Sequence, residues 1–171
     1  MSAEEPGGLD YRKALLFVVV LGGVLLLDVA TKLAVVRSII PYHQIDIIGD
    51  YVRLTLIHNP GAAFGIHVGD FSRQVFMVLA IIALGALLAM YWFTPARDHV
   101  RLAAIALICG GAIGNLIDRI RSTRGVIDFI DVGIGDTRWP VFNLADVAVT
   151  AGAIILALSL WKEEQHVARR G

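Results

Sequence analysis

Four apolar runs dominate the chain, over residues 14–36, 75–93, 102–117 and 141–161. A bilayer core of ~30 Å is crossed by about 20 residues of helix, the form that satisfies every backbone N–H and C=O within the segment. The second run carries no charge. The first is interrupted by Asp28, Thr31 and Lys32, the third by Asn115, and the fourth by Asn143 and Asp146. With 57% hydrophobic residues, 18% charged and a mean hydropathy of +0.70, the composition agrees. The expectation is one domain of an all-α integral membrane protein with four transmembrane helices. Long loops at 37–74 and 118–140 lie on one side, and a short link at 94–101 lies on the other.

Several function classes fall away at once. A net charge of +0 offers no basic patch, so no nucleic-acid partner is expected. Cys109, the single cysteine, lies in the apolar stretch LAAIALICGGAIG and reads as a packing residue. The histidines at 43, 58, 67, 99 and 166 are scattered and form no HExxH or helical pair, so neither metal nor cofactor is expected. His58 reads as a surface or hydrogen-bonding residue. Arg12 and Lys13 before the first run suggest a signal peptide, but DVATK stands where a small-residue cleavage site should be, so the run is expected to be retained.

Outside the runs, residues 1–10 read as a disordered polar tail. YVRLTLIHNPG alternates like a strand, with Arg53 and Thr55 on one face and Val52, Leu54 and Leu56 on the other, before Asn59-Pro60-Gly61 turns the chain. Four spans place both termini on one side. The basic residues nearly balance: Arg12, Lys13, Arg97, Arg101, Lys162, Arg169 and Arg170 against Lys32, Arg37, Arg53, Arg73, Arg119, Arg121, Arg124 and Arg138. The first group is denser, which leans towards cytoplasmic termini.

The polar residues within the spans converge on one interface. Asp28 lies near the far end of the first run, roughly 21 Å along it. Asn115, Asp118 and Arg119 close the third run at that level, and Asn143 and Asp146 open the fourth there. Asp28 and Lys32 are spaced i,i+4 and can pair on one helix face. Charges at membrane depth cost roughly 3 kcal/mol each, so a cluster on three helices at one depth marks a functional site. A transporter or channel subunit would spread such groups through the membrane, commonly with an internal repeat, and neither is visible. A non-catalytic scaffold is the other alternative.

With no metal set and no serine well placed beside Lys32, the chemistry left is carboxylate chemistry. Two Asp side chains about 3 Å apart cannot both ionise, so one carboxylate can take a proton from water while its protonated partner hydrogen-bonds a carbonyl. The candidates are Asp28, Asp118, Asp128, Asp131, Asp136 and Asp146. Asp28 has Lys32 one turn on, and Asp118 adjoins Arg119 and faces Asn115, so both read as ionised supports. Asp131 and Asp136, beside Gly133 and Gly135, read as solvated loop residues. Gly133-Ile134-Gly135-Asp136 spells the GxGD of presenilin-like proteases, but in a polar loop rather than an apolar helix. Asp128, between Val126-Ile127 and Phe129-Ile130, can be pressed against the membrane surface, which would suit a proton shared with Asp146.

Five blocks in order, DVATK at 28–32, NPGAAFG at 59–65, GGAIGNLIDR at 110–119, VIDFI at 126–130 and FNLAD at 142–146, resemble signal peptidase II, the bacterial lipoprotein signal peptidase. The resemblance runs from the first span to Trp161. Pro60 is a mild departure, at a position variable in the family and often Thr. The resemblance implies an aspartic endopeptidase with Asp128 and Asp146 as catalytic dyad. Asp28, Lys32, Asn59, Gly111, Asn115, Asp118, Arg119 and Asn143 would support it or bind substrate. Gly110 and Gly111 would allow close approach of the substrate or of a neighbouring helix. The substrate implied is a prolipoprotein already carrying diacylglycerol on its lipobox Cys, cut just before that Cys. Loop 37–74 would form a small β cradle and a surface element. The resemblance further implies a multi-pass protein of the bacterial cytoplasmic membrane, in contact with membrane lipid, with its site at the extracytoplasmic face; a monomer is expected.

Overall fold

The computed structural model describes residues 10–61 and 69–168, so all but Asp10 of the tail expected at 1–10 and part of the NPGAAFG block lie outside the described residues. The elements are α1 (Tyr11–Ser38), β1 (Gln44–Ile48), β2 (Val52–Asn59), α2 (Ser72–Phe93, after a short 3-10 turn), α3 (His99–Arg121), β3 (Val126–Ile134), β4 (Thr137–Arg138) and α4 (Leu144–Ala168). Among the described residues, four helices are long and apolar enough to cross a membrane. Each helix runs beyond its apolar run at one end or both, and side-chain caps set the starts of α1 and α3. Asp10 accepts from the amides of Arg12 and Lys13 at 2.9 and 3.2 Å, and Asp98 from that of Arg101 at 3.0 Å.

The third helix is the hub, packing on α1, α2 and α4. Its small residues explain this. Lipid tails are as apolar as leucine, so close van der Waals packing has to hold helices together. A Cβ on Gly111 would fall 2.3 Å from the Ala145 carbonyl oxygen, and one on Gly114 would fall 2.6 Å from Asp28 Oδ2. Gly111 therefore serves the approach of a neighbouring helix, α4. Cys109 is fully buried in this helix. At the other end of the bundle, Lys13 Nζ donates to the carbonyls of Trp92 and Thr94 at 3.2 and 2.7 Å, tying α1 to the end of α2.

The β cradle is larger than loop 37–74 alone would give. It is a four-stranded antiparallel sheet in the order β1-β2-β3-β4, and the 118–140 connection supplies two of its strands. Val126–Ile134 reads poorly as a strand because its carboxylates and glycine mask the alternation. Pairing with β2 and burial of Val126 and Phe129 decide it. The alternation expected in β2 also breaks. A bulge between Leu54 and Ile57 leaves the consecutive Thr55 and Leu56 both buried. Val35 and Ile39 of α1 pack with Leu56 and Phe129, seating the sheet on the end of the bundle where α1 finishes.

Asp131 overturns its expectation. It is buried, and Arg138 Nε donates to its carboxylate at 2.8 Å. The Gly133-Ile134-Gly135-Asp136 stretch is the end of β3 and a hairpin turn, with Asp136 exposed as expected. Asp50 accepts from the Gly135 amide at 2.7 Å and pairs with Arg53, while its carbonyl accepts from Arg138 at 2.7 Å. The β1–β2 turn and the β3–β4 hairpin are thus clamped together.

Candidate active site

Asn143 sits at the centre of the site. It is not in the first turn of the fourth helix but immediately before it, as N-cap. Its Oδ1 accepts from the Asp146 amide at 3.0 Å, and its own amide donates to Asp146 Oδ2 at 3.1 Å. This reciprocal pair is a capping box, which fixes the Asp146 carboxylate at the mouth of the helix. Antiparallel bonding of Phe142 to Ile130 then lays Asn143 beside β3. Asn143 Nδ2 reaches Asp128 Oδ1 at 2.7 Å, Asn115 Oδ1 at 3.0 Å and the Ile127 carbonyl at 3.2 Å. One residue therefore holds Asp128 through its side chain and Asp146 through its backbone and its cap.

Two further amides are oriented the same way, oxygen pinned and nitrogen turned to a carboxylate. Asn59 Oδ1 accepts from the Gly61 amide at 2.9 Å, which leaves Nδ2 to donate to Asp128 Oδ2 at 2.9 Å. Asn115 Oδ1 accepts from Lys32 Nζ at 3.0 Å, and Asn115 Nδ2 donates to Asp146 Oδ1 at 2.8 Å. Asp128 is 1% exposed. Its burial disfavours the charged form and raises its pKa from 3.8 to about 7; the two amide donors oppose the shift and the charge on Asp146 adds to it.

Behind this layer lies an ionic one. Lys32 Nζ is 2.7 Å from Asp28 Oδ2, as the i,i+4 spacing suggested, and 2.8 Å from Asp118 Oδ2. Asp28 Oδ1 accepts from the Ala145 amide at 3.1 Å, inside the first turn of α4. Asp118 was expected to rely on Arg119, but neighbours along a helix do not face each other. Arg119 turns away, donating to the carbonyls of Asn115 at 3.2 Å and Gly61 at 2.9 Å, while Asp118 also accepts from the Ile127 amide at 3.3 Å. His58, half-buried in β2, is held below its ordinary pKa by burial first and then by Arg124.

Asp128 and Asp146 line one cavity of about 550 Å³, together with Asn59, Asn115 and Arg119. Gly111 packs behind it rather than lining it. The sequence reading missed Trp139 and Phe142, which wall the cavity, and Arg73, which donates to the Arg119 carbonyl at 2.7 Å. Only the FNLAD block pointed to this wall.

The family model described as signal peptidase (SPase) II matches residues 20–162. The chain belongs to the signal peptidase II family. Among its relatives in this family is the lipoprotein signal peptidase of Halothermothrix orenii, 44% identical over 142 residues, covering 83% of this chain and 92% of the relative. That of Geobacter sulfurreducens is 39% identical over 155 residues, covering 90% and 96%. A bacterial membrane enzyme structure solved by the in meso method at 2.3 Å resolution superposes with a TM-score of 0.77 at 29% identity, covering 96% of each chain. A second, at 1.9 Å resolution, gives 0.72 at 30% identity, covering 89% of this chain and 94% of the other. The chain is a multi-pass peptidase of the bacterial membrane, with four helices among the described residues apolar enough to span it and a small antiparallel sheet.

Proposed function

We propose that the chain is an aspartic endopeptidase that removes signal peptides from diacylglyceryl-modified prolipoproteins, with Asp128 and Asp146 as the catalytic pair. The observation that carries this reading is the bridging of the two carboxylates by Asn143 at the rim of a cavity. Asp128, the more buried, holds the proton and donates it to the scissile carbonyl oxygen. The Asp146 carboxylate takes a proton from water as that water attacks the carbonyl carbon. As the tetrahedral diol collapses, the C–N bond breaks, Asp146 gives its proton to the departing amine of the lipid-bearing Cys, and the hydroxyl proton of the re-forming carbonyl returns to Asp128. No cofactor enters this cycle. Asp28, Lys32 and Asp118 hold the amides and helix start in place. Asn59 and Arg119, which line the cavity, would hold the substrate backbone near the lipid-bearing Cys, whereas Asn143, expected to join them, is fully buried and holds the two carboxylates instead.

Asp128 and Asp146 stand on the side of the long loops, and a signal peptide of an exported protein is cut on the side to which the protein is exported. We therefore read the site as extracytoplasmic, with both termini cytoplasmic and the chain acting as a monomer. The test is cleavage of a diacylglyceryl-modified prolipoprotein in detergent by wild type, Asp128→Asn and Asp146→Asn. Both substitutions should lower kcat by about 10³-fold or more, the scale seen when a catalytic carboxylate is neutralised. Substantial turnover in both variants would leave a scaffold role in its place.

A further inference from the structure

We infer that Thr150 reads the lipid on the substrate, its hydroxyl donating a hydrogen bond to an ester carbonyl of the diacylglyceryl group; this rests on the function proposed above. The cavity does not stop at the carboxylates. Asp146, Val147, Thr150, Ala151 and Ile154 line it along one face of the fourth helix. At 1.5 Å per residue, that face carries the cavity about 12 Å below Asp146, towards the hydrocarbon core. Val147, Thr150 and Ile154 are exposed along it.

Among the described residues, Thr150 is the one polar side chain that the fourth helix places in the cavity below Asp146. A threonine in a lipid-facing helix commonly turns its hydroxyl back to the carbonyl four residues earlier, as Thr31 does to Leu27 at 2.7 Å. The Thr150 hydroxyl makes no hydrogen bond to any described residue, so its donor is available to a guest.

The chemistry of the guest fits one occupant. A diacylglyceryl thioether carries ester oxygens, which accept hydrogen bonds, and no donor. The signal helix satisfies its own carbonyls along its length. The esters hang from the Cys sulfur by a few freely rotating single bonds, so they can reach a donor close below the scissile bond. Thr150 lies one turn below Asp146 on the same face. Its hydroxyl is placed to meet an ester while the acyl chains pass on along Ala151 and Ile154.

The test uses the full-length enzyme and two synthetic lipopeptides of one sequence. One bears the ester-linked diacylglyceryl group, and the other a dialkylglyceryl group joined by ethers, which lacks both carbonyls. Wild type should favour the ester substrate by about three- to tenfold in KM, the scale of one net hydrogen bond. Thr150→Val, which keeps shape and removes the hydroxyl, should erase that preference by raising KM for the ester alone. Thr150→Ser should retain it. A Val variant with the wild-type preference, or a wild type with none, would overturn the assignment. Loss of cleavage of both lipopeptides in Asp146→Asn, with cleavage retained in Thr150→Val, keeps the failure of this inference distinct from failure of the aspartic reading.

Discussion

Lys32 Nζ lies 2.8 Å from Asp118 Oδ2, joining the first helix to the third at the level of the candidate active site. The same ammonium holds Asp28 and the side-chain oxygen of Asn115. Asp28 is fully buried and Lys32 nearly so, so removal of the cation strands buried carboxylates. Lys32→Met is expected to destabilise the protein by about 3 to 5 kcal/mol. Asp118→Asn in the same chain should recover part of the loss. Thermal unfolding in detergent checks both, and an unchanged midpoint for Lys32→Met would refute the role of the cation.

Asn143 performs two tasks that substitutions can separate. Serine caps a helix nearly as well as asparagine but has no NH₂ to give to Asp128. Both Asn143→Ala and Asn143→Ser strand the buried acceptors on Asp128, Asn115 and Ile127, at about 1 to 3 kcal/mol, and the alanine variant should lose about 1 kcal/mol more with the cap. Both should lose most of their peptidase activity. If the serine variant cleaves like wild type, the amide donor to Asp128 is dispensable.

The pH dependence follows from Asp128, whose pKa is raised by burial to about 7. A raised pKa means that the folded state favours the protonated form, which is present below about 7 and lost above it. Accordingly kcat/KM should decline above pH 7, approaching tenfold per unit. The stability contribution has the same sign: fully present below the ordinary value of 3.8, and lost as pH rises through about 7. Asp128→Asn should flatten this dependence in the unfolding midpoint. A kcat/KM still rising at pH 8 would contradict Asp128 as the proton holder.

Gly111 offers a packing test. Its missing Cβ would meet the Ala145 carbonyl at 2.3 Å, so Gly111→Ala must push the start of α4 outwards. The expected cost is about 1 to 3 kcal/mol, with a larger fractional loss of activity because Asp146 moves with the helix. Comparing unfolding midpoint with kcat checks both parts; wild-type values for each would show that the bundle absorbs the methyl.

The spans were legible because twenty apolar residues in lipid have one economical backbone, and the Asp28–Lys32 pair because helical spacing is local. What stayed hidden depends on partners distant in sequence. Asp118 was read against the adjacent Arg119, while its cation comes from another helix. Asp131 appeared solvated because Arg138, which buries it, reaches back across the β3–β4 hairpin. Strand β3 had too little alternation to announce itself, and Asn143 appeared inside its helix because a cap and a first turn look alike in a string of letters.

The bond from the Ala145 amide to Asp28 fastens the first and fourth helices level with the dyad. The remaining ties at the opposite end, Lys13 to Trp92 and Thr94 and Arg101 to Glu163, are made without it. The molecule is thus stitched at two separate heights. Reporter domains fused at either terminus would load the far seam and leave the spacing of the two carboxyls undisturbed.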